Sequence, residues 1–534
     1  MTTRRERMAS VDTAWLRMDH PTNLMMITGV LTFGEPLPYT RLQELVQERL
    51  LRFDRFRQRA VDSTPAVGLA EWEVDPQFDL GAHLRRAALP SPAGKDELQL
   101  LVSELMSVPL NPDRPLWQFH LVENYGSGSA LIARLHHSIA DGIALVRVLL
   151  SLTDEEAQTA SAAGVGRRRR RRGLLGRATQ GIRKAAALTE SAIGEGFGLL
   201  RDPARAVALA RMSAGGVARL GQILVRAPDP QTAFKGSLGV EKRAVWSAPI
   251  PLTDVKAVGR VTGGTVNDVL LTAVAGALGR YLRTRGEVVD GLDLHAVVPV
   301  NLRPLDGPIE LGNRFGLVFL NLPVGIGDPV RRLEVLKQRM DALKQSPEAI
   351  AVFGLLNVVG PTPAEIENVL VNIFGSKATA VMTNVPGPRQ QLYLAGAPLD
   401  QIMFWVPQSG RLGLGVSILS YNGEVLVGVA TDARLVPDPE ALVAAFEASF
   451  AEMMRLVELV RADPEAAAPG PTPAAPRRAP LPAEPAARRA ALPARCRALT
   501  RAGKRCRNRA RTGSVTCHVH GDRELDAPDT PRRS

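Results

Sequence analysis

The chain has 534 residues, 45% of them apolar and 22% charged, a globular composition with room for two or three domains and sizeable cores. Its net charge of +12 is concentrated in two appendages. Pro471–Ser534 holds fifteen Lys+Arg against five Asp+Glu, Arg167–Arg172 adds six more, and the slightly acidic remainder weighs against nucleic-acid binding by the body as a whole.

In chain order, residues 8–155 read as a first mixed α/β domain. Met25–Phe33 has strand composition, and Tyr39–Arg52 carries helical spacing through Leu42, Leu45, Val46 and Leu50. Ala130–His137 reads as a strand and Ile143–Leu152 as a helix. Residues 156–242 form a basic connector. Its apolar residues Leu175, Ile182, Ala186, Ile193, Phe197 and Leu200 fall near one helical face. Residues 243–461 resume the α/β pattern. A long helix is expected over Val266–Leu282, opened by Thr265 or Asn267 as cap, with strands at Leu294–Val300 and Leu317–Leu322. Gly413–Ser420 and Glu424–Thr431 flank an Asn422-Gly423 turn and read as a hairpin. Residues 462–494 are rich in Pro, Ala and Arg and cannot bury a core, so disorder is expected there. Residues 495–522 read as a small separate module. Two similar α/β blocks around a connector point to a duplicated architecture.

The chemistry concentrates in His136-His137-Ser138-Ile139-Ala140-Asp141-Gly142. On an alternating strand His137 shares the apolar face of Leu131, Ala133 and Leu135, where a desolvated imidazole stays neutral and can accept a proton from an alcohol. His136 and Asp141 then hold the loop and the ring tautomer, and Gly142 permits a tight strand-to-helix turn. The plain alternative is a strand ending in two histidines, with Asp141 capping the next helix.

This motif resembles the His-His-x-x-x-Asp-Gly signature of the CoA-dependent acyltransferase superfamily. More of the chain resembles one branch, the bacterial wax ester synthase/diacylglycerol acyltransferase family. The resemblance rests on Ser10–Leu16, Phe78–Arg86, Pro115-Leu116-Trp117, Lys235-Gly236, Thr265–Leu270, Val298–Arg303, Gly312-Asn313 and Thr383–Pro388, in order over residues 8–460. It implies two chloramphenicol-acetyltransferase-like α/β domains with a tunnel between them, and no catalytic cofactor. It implies that His137 is the base that activates a diacylglycerol or long-chain alcohol against acyl-CoA. By the same resemblance Pro115, Leu116 and Trp117 support the histidine loop, and Asn267 and Asp268 lie near the acyl-CoA path. Asp141 is then a supporting residue that pairs with an arginine. From the residues alone, Asn267-Asp268 could equally cap a helix and Trp117 could be a core aromatic.

The appendages lie beyond that family pattern. Cys496, Cys506, Cys517 and His520 are a complete tetrahedral set for structural zinc, the alternative being unpaired thiols in a disordered tail. The arginines around them favour an anionic partner. Arg167–Arg172 is either a solvated loop or a contact with an anionic membrane or lipid-droplet surface, at about 1 kcal/mol per basic residue. With all three cysteines in the tail, no secretory leader and no apolar run of spanning length, the expectation is a cytoplasmic protein. It would lie peripheral to the inner face of the plasma membrane or to lipid inclusions. The expected function is O-acyl transfer. The alternatives are a different acceptor, or a non-catalytic scaffold that binds lipids or anions.

Overall fold

The structure, a computed structural model, describes residues 5–62, 68–156, 227–302, 311–344, 375–408 and 410–462. The connector's arginine run, nearly all of the 462–494 linker and the cysteine module lie outside the described residues. The first part of the chain runs β1 (Arg5–Arg7), α1 (Ser10–Arg17), β2 (Met26–Phe33), α2 (Tyr39–Leu45), β3 (Gln58–Val61), β4 (Glu71–Val74), α3 (Leu80–His83), β5 (Leu84–Ala87), α4 (Lys95–Ser107), β6 (Trp117–Tyr125), β7 (Gly128–His136) and α5 (Gly142–Leu150). The second runs β8 (Lys242–Trp246), β9 (Ile250–Pro251), α6 (Leu252–Thr262), α7 (Val266–Thr284), β10 (Leu294–Asn301), β11 (Phe315–Leu322), α8 (Pro329–Lys344), β12 (Ala380–Pro386), β13 (Tyr393–Leu394), β14 (Ala397–Trp405), β15 (Leu414–Tyr421), β16 (Glu424–Asp432) and α9 (Pro439–Ala462).

This is the expected mixed α/β class, and its departures from the sequence reading have local causes. The helix expected over Tyr39–Arg52 widens into a π-turn at Val46–Leu50, which keeps Leu42, Leu45, Val46 and Leu50 all buried. Strand β7 stops at His136, one residue short. The N–H of His137 still donates to Met25 O at 2.7 Å, in register with the β2–β7 ladder, and the turn begins at that residue. Both faces of β7 are buried, so alternation alone does not single out the side of His137 as the apolar one.

Two large sheets and one small sheet form among the described residues. The first has six strands in the order β13-β14-β2-β7-β6-β5, with only β5 and β6 parallel. The second runs β11-β10-β12-β15-β16-β8, with β9 pairing β16, and is parallel at β10–β12 and β12–β15. Strands β13 and β14 belong to the 243–461 segment yet complete the first sheet, where Leu399–Trp405 pairs antiparallel with Thr28–Phe33. The boundaries at 155 and 243 thus divide the chain but not the sheets.

The two faces of β7 explain how the sheets come together. Leu131, Ala133 and Leu135 pack with Leu42 and Leu45 of α2 and Leu145 of α5. Ala130 and Ile132 face the other way, onto Leu98 and Val102 of α4 and onto Trp246 and Leu426 of the second sheet. Helix α4 also closes the edge of β8: the Ser103 and Ser107 hydroxyls, one helical turn apart, accept from Ala244 N at 2.9 Å and Lys242 N at 2.8 Å. The second sheet buries its other face under α6, α7, α8 and α9. Among the described residues no single helix is long and apolar enough to cross a membrane.

Candidate active site

Strand β7 delivers the histidine pair to a turn that the second half of the chain holds from outside. Ala140 bridges Gly312, Gly312 N donates to Ile139 O at 2.9 Å, and Asp141 N donates to Gly312 O at 3.3 Å. Gly312 sits at φ 95°, a left-handed conformation that favours glycine, so the special backbone of the loop lies here. Gly142 is instead the ordinary first residue of α5. A Cβ there would make plain contact with Val406 at 3.5 Å, so the turn does not require a glycine at that position.

Asp141 joins the two parts with both carboxylate oxygens. Oδ1 accepts from Ala144 N at 2.9 Å and caps α5, while Oδ2 accepts from Arg314 N at 3.1 Å. Asn313, between Gly312 and Arg314, completes the clamp. Its Nδ2 donates to His137 O at 2.7 Å and to Asp12 Oδ1 at 2.9 Å, and its backbone N–H donates to the same oxygen at 3.0 Å. Asp12 is buried on α1.

The His137 ring is 4% exposed and stacks on Trp15, with centroids 4.1 Å apart and planes at 24°. Phe315 packs beside both rings, its centroid 5.5 Å from His137 and 5.9 Å from Trp15. Burial, reinforced by neighbouring His136, pushes the His137 pKa down to about 3. The ring is therefore neutral at pH 7. Its Nδ1 is buried, and Asn313 and the residue's own backbone are the polar groups nearest the ring that favour its charged form, too weakly to offset burial.

His136 is built differently. Its Nδ1 accepts from Ser138 N at 3.1 Å and lies 2.8 Å from Ser138 Oγ, and its Nε2 lies 3.8 Å from Asp19 Oδ1. Asp19 also fixes Met25 N at 2.6 Å, so this histidine is tied into the loop's support.

Pro115-Leu116-Trp117 abuts the pair directly, since Leu116 O accepts from His136 N at 2.9 Å. Trp117 is fully buried, stacks on His83 at 4.7 Å and donates from Nε1 to Phe56 O at 2.9 Å. Asn267 and Asp268 lie elsewhere, at the start of α7. Asp268 Oδ2 accepts from Thr265 N at 2.9 Å and Thr265 Oγ1 at 2.8 Å, and Thr265 Oγ1 accepts from Asp268 N at 3.2 Å: a capping box. Asn267 Oδ1 accepts from Asn384 Nδ2 at 2.7 Å, fastening α7 to β12. Among the described residues no group of three His, Cys, Asp or Glu side chains could hold a metal, and the Cys496, Cys506, Cys517 and His520 set lies outside them.

Sequence reasoning singled out the histidine loop but missed Asp12, Trp15, Asn313 and Phe315. The first three stand inside stretches that carried the family resemblance, and that was their only signal. Nothing in the chain marks Phe315.

A neutral histidine beside the second sheet, in a loop held by both halves of the chain, is an arrangement able to serve as a general base. The chain matches the wax ester synthase/diacylglycerol acyltransferase catalytic domain over residues 8–270 and the C-terminal domain of the same family over residues 311–454. These matches span well over half of its length, and the chain belongs to the wax ester synthase/diacylglycerol acyltransferase family. It is 29% identical over 418 residues to a probable diacylglycerol O-acyltransferase of Mycobacterium tuberculosis, covering 77% of this chain and 86% of that one. A second such protein from the same organism is 29% identical over 458 residues, covering 82% and 96%. Among solved structures, the wax ester synthase/diacylglycerol acyltransferase of Marinobacter aquaeolei is similar in fold. Its TM-score is 0.59 at 22% identity, covering 84% of this chain and 98% of that one. So is a trichothecene 15-O-acetyltransferase of Fusarium sporotrichioides, with a TM-score of 0.56 at 11% identity, covering 85% and 95%.

Proposed function

We propose that this acyltransferase moves a long-chain acyl group from acyl-CoA to the hydroxyl of a diacylglycerol or a long-chain alcohol, with His137 as general base. The observation that carries the proposal is the neutral, buried His137 ring packed against Trp15 and Phe315, in a loop fixed by Asn313 and Asp141. The imidazole removes the acceptor's hydroxyl proton as the oxygen attacks the thioester carbonyl. The tetrahedral intermediate collapses, the C–S bond breaks, and the imidazolium returns the proton to the CoA sulfur. A base this weak at rest takes the proton only as negative charge develops on the attacking oxygen, so the transfer is coupled to C–O bond formation. The reaction as written needs only the imidazole and the two substrates. Asp12, Asn313 and Asp141 position the loop, and His136 supports it.

The names of the Mycobacterium tuberculosis relatives favour diacylglycerol as the principal acceptor. Purified protein given one long-chain acyl-CoA and either a diacylglycerol or a fatty alcohol should release CoA faster with the diacylglycerol. A strong preference for the alcohol reverses the order, and release with neither removes the proposal. The basic connector and tail would hold the protein at an anionic lipid surface on the cytoplasmic side. Sedimentation with anionic vesicles should then decline steeply with salt. The Cys496–His520 set would carry one zinc per chain, measurable by metal analysis of the full chain and lost in Cys506→Ser.

A further inference from the structure

Helix α7 carries a second concentration of charge, far from its capping box. Arg280 and Arg283 sit about four turns beyond Asn267, roughly 20 Å along the helix axis at 1.5 Å per residue. With Gly276, Thr284, Gly327 and Arg332 they line a cleft of about 300 Å³ between α7 and α8.

Its floor is the Arg332 guanidinium, 3% exposed. Nε donates to Thr272 O at 3.1 Å, Nη1 to Ile326 O at 2.9 Å and Gly327 O at 3.2 Å, and Nη2 to Ser449 Oγ at 3.2 Å. These acceptors are three carbonyls and a hydroxyl, none of them charged. Of the five guanidinium N–H groups, one on Nη2 is left over. Burial lowers the Arg332 pKa only to about 10, so the charge is present at neutral pH. A buried cation held by neutral acceptors is poorly compensated, and an anion would relieve it.

The cleft is built around that group. A Cβ on Gly276 would lie 2.2 Å from Ser449 Oγ and 2.6 Å from Arg332 Nη2, so glycine alone leaves room for the guanidinium. Two acids stand nearby: Glu452, engaged by Arg280 and Arg455, and Asp328, whose Oδ1 accepts from Arg331 N at 2.7 Å. Even with Arg280 paired to Glu452, the lining arginines Arg280, Arg283 and Arg332 leave the cleft positive. Arginines lining one cleft suit an acceptor with several oxygens, as a phosphate has.

We propose that the cleft floored by Arg332 and rimmed by Arg280 and Arg283 is a phosphate-binding site, separate from the acyl-transfer site and independent of that reading. The ligand is a phosphate group, either free or carried on a lipid headgroup.

The test uses the full chain, titrated with inorganic phosphate against chloride at constant ionic strength. It also uses sedimentation with phosphatidylcholine vesicles with and without phosphatidic acid. Arg283→Gln removes one rim charge at an exposed position, and unchanged thermal unfolding in chloride confirms its fold. Arg331→Gln removes a neighbouring exposed charge that does not line the cleft. Saturable phosphate binding, weakened about tenfold or more by R283Q and kept by R331Q, supports a site for free phosphate. Binding to phosphatidic acid vesicles alone, with the same dependence on the two variants, assigns the site to a headgroup. Equal losses in both variants, or binding that R283Q leaves intact, overturns the proposal, as does no binding in either arm.

Discussion

A histidine whose pKa burial holds near 3 carries no proton in neutral or mildly acid solution. With His137 as base, kcat/KM should therefore lack the acid limb near pH 6.5 of an ordinary histidine, and stay level down to about pH 5. A limb at 6.5 would show that the working base is not the desolvated ring. The same shift governs stability. Below pH 6.5 the unfolded chain protonates this histidine and the folded chain does not. Stability is therefore complete above pH 6.5 and falls as pH drops toward 3, by up to about 1.4 kcal/mol per pH unit. His120, lowered to about 4 by burial and by Arg134 and Arg85, adds to the loss in the same direction. Denaturant midpoints at pH 7.5 and 5.5 should show the decline, and His137→Asn should flatten it by about one proton. Asp141 allows a sharper test of positioning. It uses both oxygens, on Ala144 N and Arg314 N, and the Asp141→Asn side chain offers only one. Asp141→Asn should lower stability by about 1 kcal/mol in denaturant unfolding, together with a fall in kcat. The histidine loop was legible because its parts are adjacent in sequence. The clamp was not, because Asp12 and Asn313 are 301 residues apart and their meeting is decided by how the halves dock.

At the scale of elements, the signals that worked were those with a backbone cause. Asn422 at φ 47° and Gly423 at φ 85° make the two-residue turn that the Asn-Gly pair promised between β15 and β16. Thr265 caps α7, as one of the two residues named for that role. The missed π-turn after α2 and the early end of β7 have no such local mark, since both follow from packing. The start of α7 also separates two roles for Asp268. If it serves the capping box, Thr265→Ala and Asp268→Ala should each cost about 0.5–2 kcal/mol in denaturant unfolding, with the double variant costing less than the sum. If its role is only along the acyl-CoA path, Asp268→Ala should raise KM for acyl-CoA and leave the unfolding midpoint unchanged.

For the whole molecule, the duplicated α/β pattern was legible as composition along the chain, but the exchange of β13 and β14 into the first sheet was not. Strand pairing between residues 366 to 377 positions apart leaves no periodicity to read: Thr28 meets Trp405, and Phe33 meets Leu399. One consequence is testable. Residues 8–155 expressed alone would expose the edge of β2 and aggregate, whereas co-expression with residues 227–462 should recover soluble protein. Soluble, cooperatively folding 8–155 on its own would contradict the shared-sheet account. The central claim is acyl transfer through His137. Its most direct measurement is acceptor-dependent CoA release from a long-chain acyl-CoA, comparing the parent chain with His137→Ala at matched folded concentration. The account predicts release that requires the diacylglycerol or alcohol and falls by at least about a hundredfold in the variant. Full turnover by His137→Ala would contradict it.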